Sequence, residues 1–434
     1  MSEQLRVLVV SYFFPPDPAV GGLRAAKFVK YLSEFGWEPT VLTAQTTAAA
    51  ETEHGIHATP FASPWKLLRR NTGGRRSDRP AAPSLSAMAT RGPFRRRAYS
   101  ALRHILPMSS VRMPDATLGW VPYAVSEGKR ILGADDFDAI LSSSGPPSSH
   151  IVAARLQRAS GLPWIADYRD LWSDNHWDTR VSPFRTAERL LERKILRRAA
   201  LLTSVGPVWA HRLAALHDKP TEVIYNGFDP ADYPTASPPD GEFSLTYVGS
   251  LYYPDQNPEP LLEALALLKG KGILDAGRFT VRFLGTEPGP LSRRFQHYGV
   301  EKWVDFAPPV PHSESLAVQS ASTALLYLGW RDPTEGFISA KIFEYMGADR
   351  PVLAVGTPGG PISEILSECG VADLSSRPVE IAERLKGWIH EFSADGRLSS
   401  KTDRSAVAKY TRRAQTERLA GLLDRITSGP SNTG

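Results

Sequence analysis

Apolar runs of strand length, each followed by a helical pattern, occur in two consecutive series along this 434-residue chain, with a proline-rich stretch between them. Such alternation commits a chain to parallel sheets covered by helices on both faces. Residues 5–10 form a near-continuous apolar run, the mark of a strand buried on both sides. A Pro- and Gly-rich loop over residues 14–22 follows, and then Ala25, Phe28, Val29, Leu32 and Phe35 recur at helical spacing. Gly36 stands where a helix end favours a left-handed residue. Residues 38–43 return as a strand, completing a βαβ unit with a glycine loop at its phosphate-binding corner.

The first series continues with strands at 138–144, 163–168, 201–204 and 222–225 and helices at 148–159 and 187–198. Residues 229–241 carry Pro230, Pro234, Pro238 and Pro239 with little that is apolar, the composition of a linker. The second series places strands at 243–248, 279–284, 304–306, 324–328 and 352–355. Its helices fall at 259–269, 312–320, 341–346, 379–392 and 405–426. A chain this long exceeds one ordinary core. The expected architecture is α/β, with two doubly wound Rossmann-like domains facing each other across a cleft at the carboxyl ends of their strands. Residues 1–235 form the first of these domains and 241–404 the second. Residues 405–426 are a helix packing back towards the first domain, and 427–434 a tail.

Composition narrows the function classes. Hydrophobic residues make up 42% and charged ones 22%, as in a soluble globular protein. No window approaches the ~20 apolar residues of a spanning helix, and the opening residues lack a signal-peptide layout, so a cytoplasmic location is expected. The single Cys369 reads as a small core residue. Residues 66–112 concentrate arginines against one acid, Asp78. Within them, 93–106 interleave Phe94, Tyr99, Leu102, Ile105 and Leu106 with basic residues, as an interfacial helix does. A peripheral contact with the inner face of a membrane fits this pattern, and a solvated loop region is the alternative; no nucleic-acid motif accompanies it. His54 and His57 lack the spacing of a metal site, and Asp136-Phe137-Asp138 opens a strand at the end away from the cleft, so no metal is expected.

Three segments carry chemistry. Gly21-Gly22 opens the first helix, where backbone amides suit a phosphate, although a tight turn alone also explains it. Lys341 and Glu344 lie three apart on one helical face behind Glu335-Gly336 and the N-cap candidate Ser339. The lysine can meet a diphosphate and the carboxylate two sugar hydroxyls; an ordinary ion pair between them is the alternative. At the end of the strand at 163–168, Asp167 or Asp170 can orient a hydroxyl acceptor and Arg169 can hold an anion. A mutual Asp–Arg–Asp pairing that ties down the loop is the alternative there. Ser144, at the end of a neighbouring strand, can line the same cleft or cap a helix.

Together, residues 5–425 resemble the GT-B family-4 retaining glycosyltransferases. The resemblance rests on Phe14-Pro15-Pro16-Asp17 with Gly21-Gly22-Leu23-Arg24, on Ile224-Tyr225-Asn226-Gly227-Phe228-Asp229, on Tyr247-Val248-Gly249-Ser250, and on Lys341-Ile342-Phe343-Glu344-Tyr345. The stretch from Asp167 to Trp172 resembles the branch that builds bacterial surface polysaccharides and related glycosides. The resemblance implies a nucleotide-diphosphate sugar as co-substrate, a hydroxyl acceptor that is lipid-linked or a small molecule, and no cofactor. It implies donor contacts from Gly21, Gly22, Gly249, the backbone of Gly336, Phe337 and Ile338, and Lys341, with ribose on Glu344. Asp167 occupies the position where many members carry a histidine near the donor sugar, so Asp167 and Lys341 are the implied catalytic pair.

Two departures stand out. Where members often carry an Arg and a Lys on the diphosphate, this chain has Ser250 and Gln256, leaving Lys341 to act with Arg24 or Arg331. The usual paired glutamates are eight apart, whereas Glu335 and Glu344 are nine apart, with Gly336 in the expected place. A non-catalytic nucleotide- or glycan-binding partner and a GT-B sugar-nucleotide epimerase are the competing readings.

Overall fold

The computed structural model describes residues 4–17, 19–44, 55–61, 114–175, 184–235, 241–274 and 279–428. The basic segment at 66–112 and its expected helix lie outside them. The chain forms two compact units. Unit 1 comprises Met1–Ser204, Arg212–Glu222 and Ala420–Gly434, and unit 2 comprises Val205–His211 and Val223–Leu419.

Unit 1 is built on a sheet of β1 (Leu5–Ser11), β2 (Trp37–Ala44), β3 (Ile56–Thr59), β4 (Ala139–Ser143), β5 (Trp164–Tyr168), β6 (Leu201–Ser204) and β7 (Thr221–Val223). Their order is β3-β2-β1-β4-β5-β6-β7, so the chain starts in the middle and winds outward in both directions. Val7, Leu8, Val9 and Val10 of β1 are all fully buried, as the apolar run requires. Helices α1 (Leu23–Leu32), α2 (Val121–Ala134), α3 (Ser148–Ser160) and α4 (Phe184–Leu196) belong to this unit, and α5 spans Pro207–His217. Gly36 ends the first helical stretch at φ +83, the left-handed geometry expected of it.

Unit 2 contains β8 (Phe243–Val248), α6 (Glu259–Gly270), β9 (Phe279–Leu284), α7 (Gly289–Tyr298), β10 (Val304–Ala307) and α8 (His312–Ala321). It continues with β11 (Ala324–Leu328), α9 (Ala340–Ala348), β12 (Val352–Val355), α10 (Gly360–Glu368), α11 (Pro378–Asp395), α12 (Arg404–Ala408) and the first half of α13 (Arg412–Thr427). The strands pair in parallel in the order β10-β9-β8-β11-β12. Side chains alternate between two cores, as the pleat dictates. Ala324, Leu326 and Leu328 join the core under α6 and α11, while Leu325 and Tyr327 join the one under α9 and α10.

The structure corrects two expectations about connections. The start of the supposed linker is packed: Phe228 bridges Thr411, Asp229 caps the short helix Pro230–Asp232, and the Tyr233 hydroxyl donates to the Glu344 carbonyl at 2.9 Å. A Cβ on Gly227 would lie 2.4 Å from the Tyr410 carbonyl, which explains the glycine. Residues 405–426 are two helices, because the chain breaks at Lys409–Thr411 to pair with Phe228.

Candidate functional site

In unit 2 the carboxyl ends of β8 and β9 each close on a left-handed glycine, Gly249 at φ +95 and Gly285 at φ +81. Gly249 is required twice over. Its backbone is one that L side chains avoid, and a Cβ there would press on Lys341 Cε at 2.9 Å. Lys341, in the first turn of α9, runs across this glycine. Its ammonium donates to the Tyr247 hydroxyl at 2.7 Å and the Ser250 carbonyl at 2.8 Å, and lies 4.5 Å from the Tyr247 ring centroid. Burial pushes its pKa down to about 8, with Glu344 opposing the shift. Ser339 caps α9 by accepting from the Lys341 amide, as its position suggests.

Glu344 does not pair with Lys341. Its carboxylate is held by α8, from His312 Nε2 at 3.1 Å and Gln319 Nε2 at 3.3 Å. The Glu344 carboxylate in turn raises the His312 pKa. The ion-pair alternative is therefore excluded: the two charged groups of α9 are anchored by different elements. A carboxylate has about four acceptor sites, so two donors from α8 leave capacity for sugar hydroxyls.

The neighbouring loop is fixed by its own contacts. Gly336 adopts φ +77, and a Cβ would lie 2.3 Å from Val208, so both backbone and space demand glycine. Phe337 packs on Trp330 at 4.7 Å, and Ile338 is buried against Gly206. Glu335 is tied down at both ends, its carboxylate by Trp330 Nε1 at 2.9 Å and its carbonyl by Trp209 Nε1 at 2.9 Å. Gln256 is buried and structural: it donates to the Leu328 carbonyl and accepts from the Tyr247 hydroxyl and the Tyr252 amide. Arg331 joins the same loop through the Pro254 carbonyl at 3.3 Å.

In unit 1, register explains a buried cluster. Ser143 of β4 pairs with Asp167 of β5, which pairs with Thr203 of β6, so the three side chains share one face. Asp167 accepts from Ser143 Oγ at 2.8 Å and Thr203 Oγ1 at 2.7 Å, and Arg24 of α1 completes the set with bonds of 2.9 and 2.8 Å. Asp167 is 0% and Arg24 1% exposed. Burial raises the Asp167 pKa, but Arg24 and the two hydroxyls outweigh it, leaving the carboxyl below its usual range. This corrects the sequence expectation. Asp167 is an ionised structural carboxylate with every oxygen engaged, and Arg24 is its buried partner, so neither is placed to act as base or phosphate ligand.

The half-buried charged groups at this end of the sheet are Arg169 and Asp170, paired at 3.1 Å. The Arg169 guanidinium lies where side chains on Gly21 or Gly145 would be, 2.7 and 2.9 Å from their would-be Cβ atoms. Gly22 packs on the Phe13 backbone and its amide bonds to the Ala19 carbonyl, so the tight-turn reading accounts for it. Ser144 is buried and accepts from the Arg169 amide at 3.2 Å. The segment beyond is pinned by two buried acids of α4: Glu192 accepts from the Tyr168 hydroxyl and the Ser173 amide, and Glu188 from Trp172 Nε1. His150 packs at a tilt against Tyr168, and burial pushes its pKa down to about 4.

His312, Gln319 and the Arg24–Asp167 pair were not legible as partners, because they come from elements far apart in sequence. Among the described residues no group of three or more His, Cys, Asp or Glu is placed to hold a metal, and no helix is long and apolar enough to cross a membrane.

Residues 81–232 match the family model described as Glycosyltransferase Family 4. The fold as a whole is shared with solved structures. Sucrose-phosphate synthase from Thermosynechococcus elongatus aligns at 16% identity over 98% of this chain and 99% of that one, with a TM-score of 0.60. The HepE protein of Anabaena, solved in complex with UDP, aligns at 14% identity over 98% of both chains, with a TM-score of 0.53. The lipopolysaccharide outer core galactosyltransferase WaaB aligns at 13% over 97% of this chain and 100% of that one, with a TM-score of 0.51. No curated protein matches by sequence. The chain thus carries a segment that matches the family-4 glycosyltransferase model and shares the GT-B fold of these structures.

Proposed function

We propose that the enzyme transfers a sugar from a nucleotide-diphosphate sugar to a hydroxyl acceptor with retention and without a metal, unit 2 holding the donor. The observation that carries this reading is the separate anchoring of Lys341 and Glu344 on α9. The lysine is held over Gly249 at the strand ends, and the carboxylate is oriented by α8 instead of being spent on the lysine. Lys341 meets the diphosphate and offsets the charge that develops on it as the glycosidic bond breaks. Glu344 accepts the ribose hydroxyls, and the backbone from Gly336 to Ile338 faces the sugar and phosphates. The bound UDP of the Anabaena protein supports a nucleotide on this fold.

No cation comes from the loop after β8, since the Ser250 carbonyl and Gln256 are consumed locally. Arg331, on the loop that follows β11, is the candidate for a second positive charge. On unit 1, Arg169 and Asp170 are the proposed acceptor-side groups, and the acceptor is a lipid-linked glycan or a small molecule. Calorimetry tests the donor site: Glu344→Ala abolishes nucleotide-sugar binding, and unchanged affinity would refute the assignment. Product analysis then shows whether the anomeric configuration is kept.

A further inference from the structure

Helix α4 turns its acids inward, which leaves an outward face of one sign. Glu188 and Glu192 are buried against Trp172, Tyr168 and Ser173, whereas Arg185, Arg189, Arg193 and Lys194 are exposed. Arg197 and Arg198 continue the exposed face in the turn that follows. None of these six has an ion-pair partner among the described residues. Arginines at every fourth position from 185 to 197 follow one side of the helix over about 18 Å. Leu190, among them, is 62% exposed. At the helix end a cavity of about 500 Å³ is lined by Arg193, Lys194, Arg197, His217, Asp218 and Lys219. Lys219 is already bonded to the Ala199 carbonyl there, so three free cations face one carboxylate.

Complementing the helix dipole explains basic residues in a last turn but not a stripe along the whole length. A single phosphate is also too small to engage it. A charged face with an apolar side chain projecting from its middle fits a plane of anionic headgroups over hydrocarbon. We propose that the outward face of α4, centred on Arg189, Leu190 and Arg193, docks on a bilayer containing anionic lipid.

The test uses the full chain and vesicles of phosphatidylcholine with or without phosphatidylglycerol. At low salt the protein co-sediments only with the anionic vesicles, and high salt releases it. R189Q/R193Q partitions about thirtyfold more weakly, from two lost headgroup attractions. Both side chains are exposed and unpaired, so melting temperature and donor binding stay as in the wild type. A polarity-sensitive dye on Leu190→Cys, with Cys369 buried, shifts to the blue on anionic vesicles. Wild-type partitioning by R189Q/R193Q, an unshifted dye, or equal binding to neutral vesicles overturns the proposal. Stabilisation by inorganic phosphate without vesicle binding also overturns it, and assigns the face to a free anion.

Discussion

Lys341 shows how a residue can be costly to the fold and useful to the site. Its ammonium is desolvated against Tyr247 and Gly249, and its pKa falls from 10.5 to about 8. Between those values the unfolded chain binds more protons than the folded one, so this group makes stability rise with pH across that window. Lys341→Met therefore melts no lower than the wild type at neutral pH, and the difference closes as pH climbs from about 8 to 10.5. Donor affinity moves the other way. Losing a charged hydrogen-bond donor to the diphosphate costs about 1.5–3 kcal/mol, roughly ten- to a hundredfold in Kd. Wild-type affinity itself weakens as pH rises past about 8 while the variant's stays flat, a contrast that calorimetry across pH reads directly. Sequence spacing identified Lys341 and Glu344 as neighbours on one face but could not say whether they pair. That depended on Tyr247, His312 and Gln319, which come from other elements.

At the scale of elements, α8 and α9 work as a couple. His312 and Gln319, seven residues apart on α8, both reach Glu344 on α9. The carboxylate raises the His312 pKa above 6.5, so their attraction is fully present below that value and is lost as pH rises through the raised pKa. In His312→Gln the fall in stability over that window disappears, which thermal melts at a series of pH values detect. The central strands β1, β4, β5, β8 and β11, largely buried on both faces, were legible from their apolar runs. Four helices were not: α2, α5, α7 and α10 each carry proline in the first turn, at Pro122, Pro207, Pro290 and Pro361. A proline there costs nothing, since the amide it removes has no partner in a helix, but in the sequence it reads as loop. Strand β3 escaped for another reason: four residues with one histidine carry too little periodicity.

At the scale of the molecule, two α/β series were visible from alternation alone, but the division of labour within each end of sheet was not. Asp167 and Arg169 stand two apart at the end of β5, and sequence favoured the acid as the reactive group. Register decides otherwise: Asp167 faces Ser143 and Thr203 inside the unit, while Arg169 emerges beside Gly21 and Gly145. If unit 2 binds the donor and Arg169 serves the acceptor, the two functions separate by mutation. A nucleotide sugar at a hundredfold over its Kd stabilises the protein by about 2.7 kcal/mol. Arg169→Ala retains that thermal shift in full, because nothing on α9 changes, yet kcat/KM for the acceptor falls about tenfold or more with the loss of a charged contact. Asp170, freed of its partner, remains exposed to water, so the variant folds as the wild type does. A donor-induced shift that vanishes in Arg169→Ala would instead place this arginine on the donor, and the diphosphate would then have the second cation that the loop after β8 does not supply.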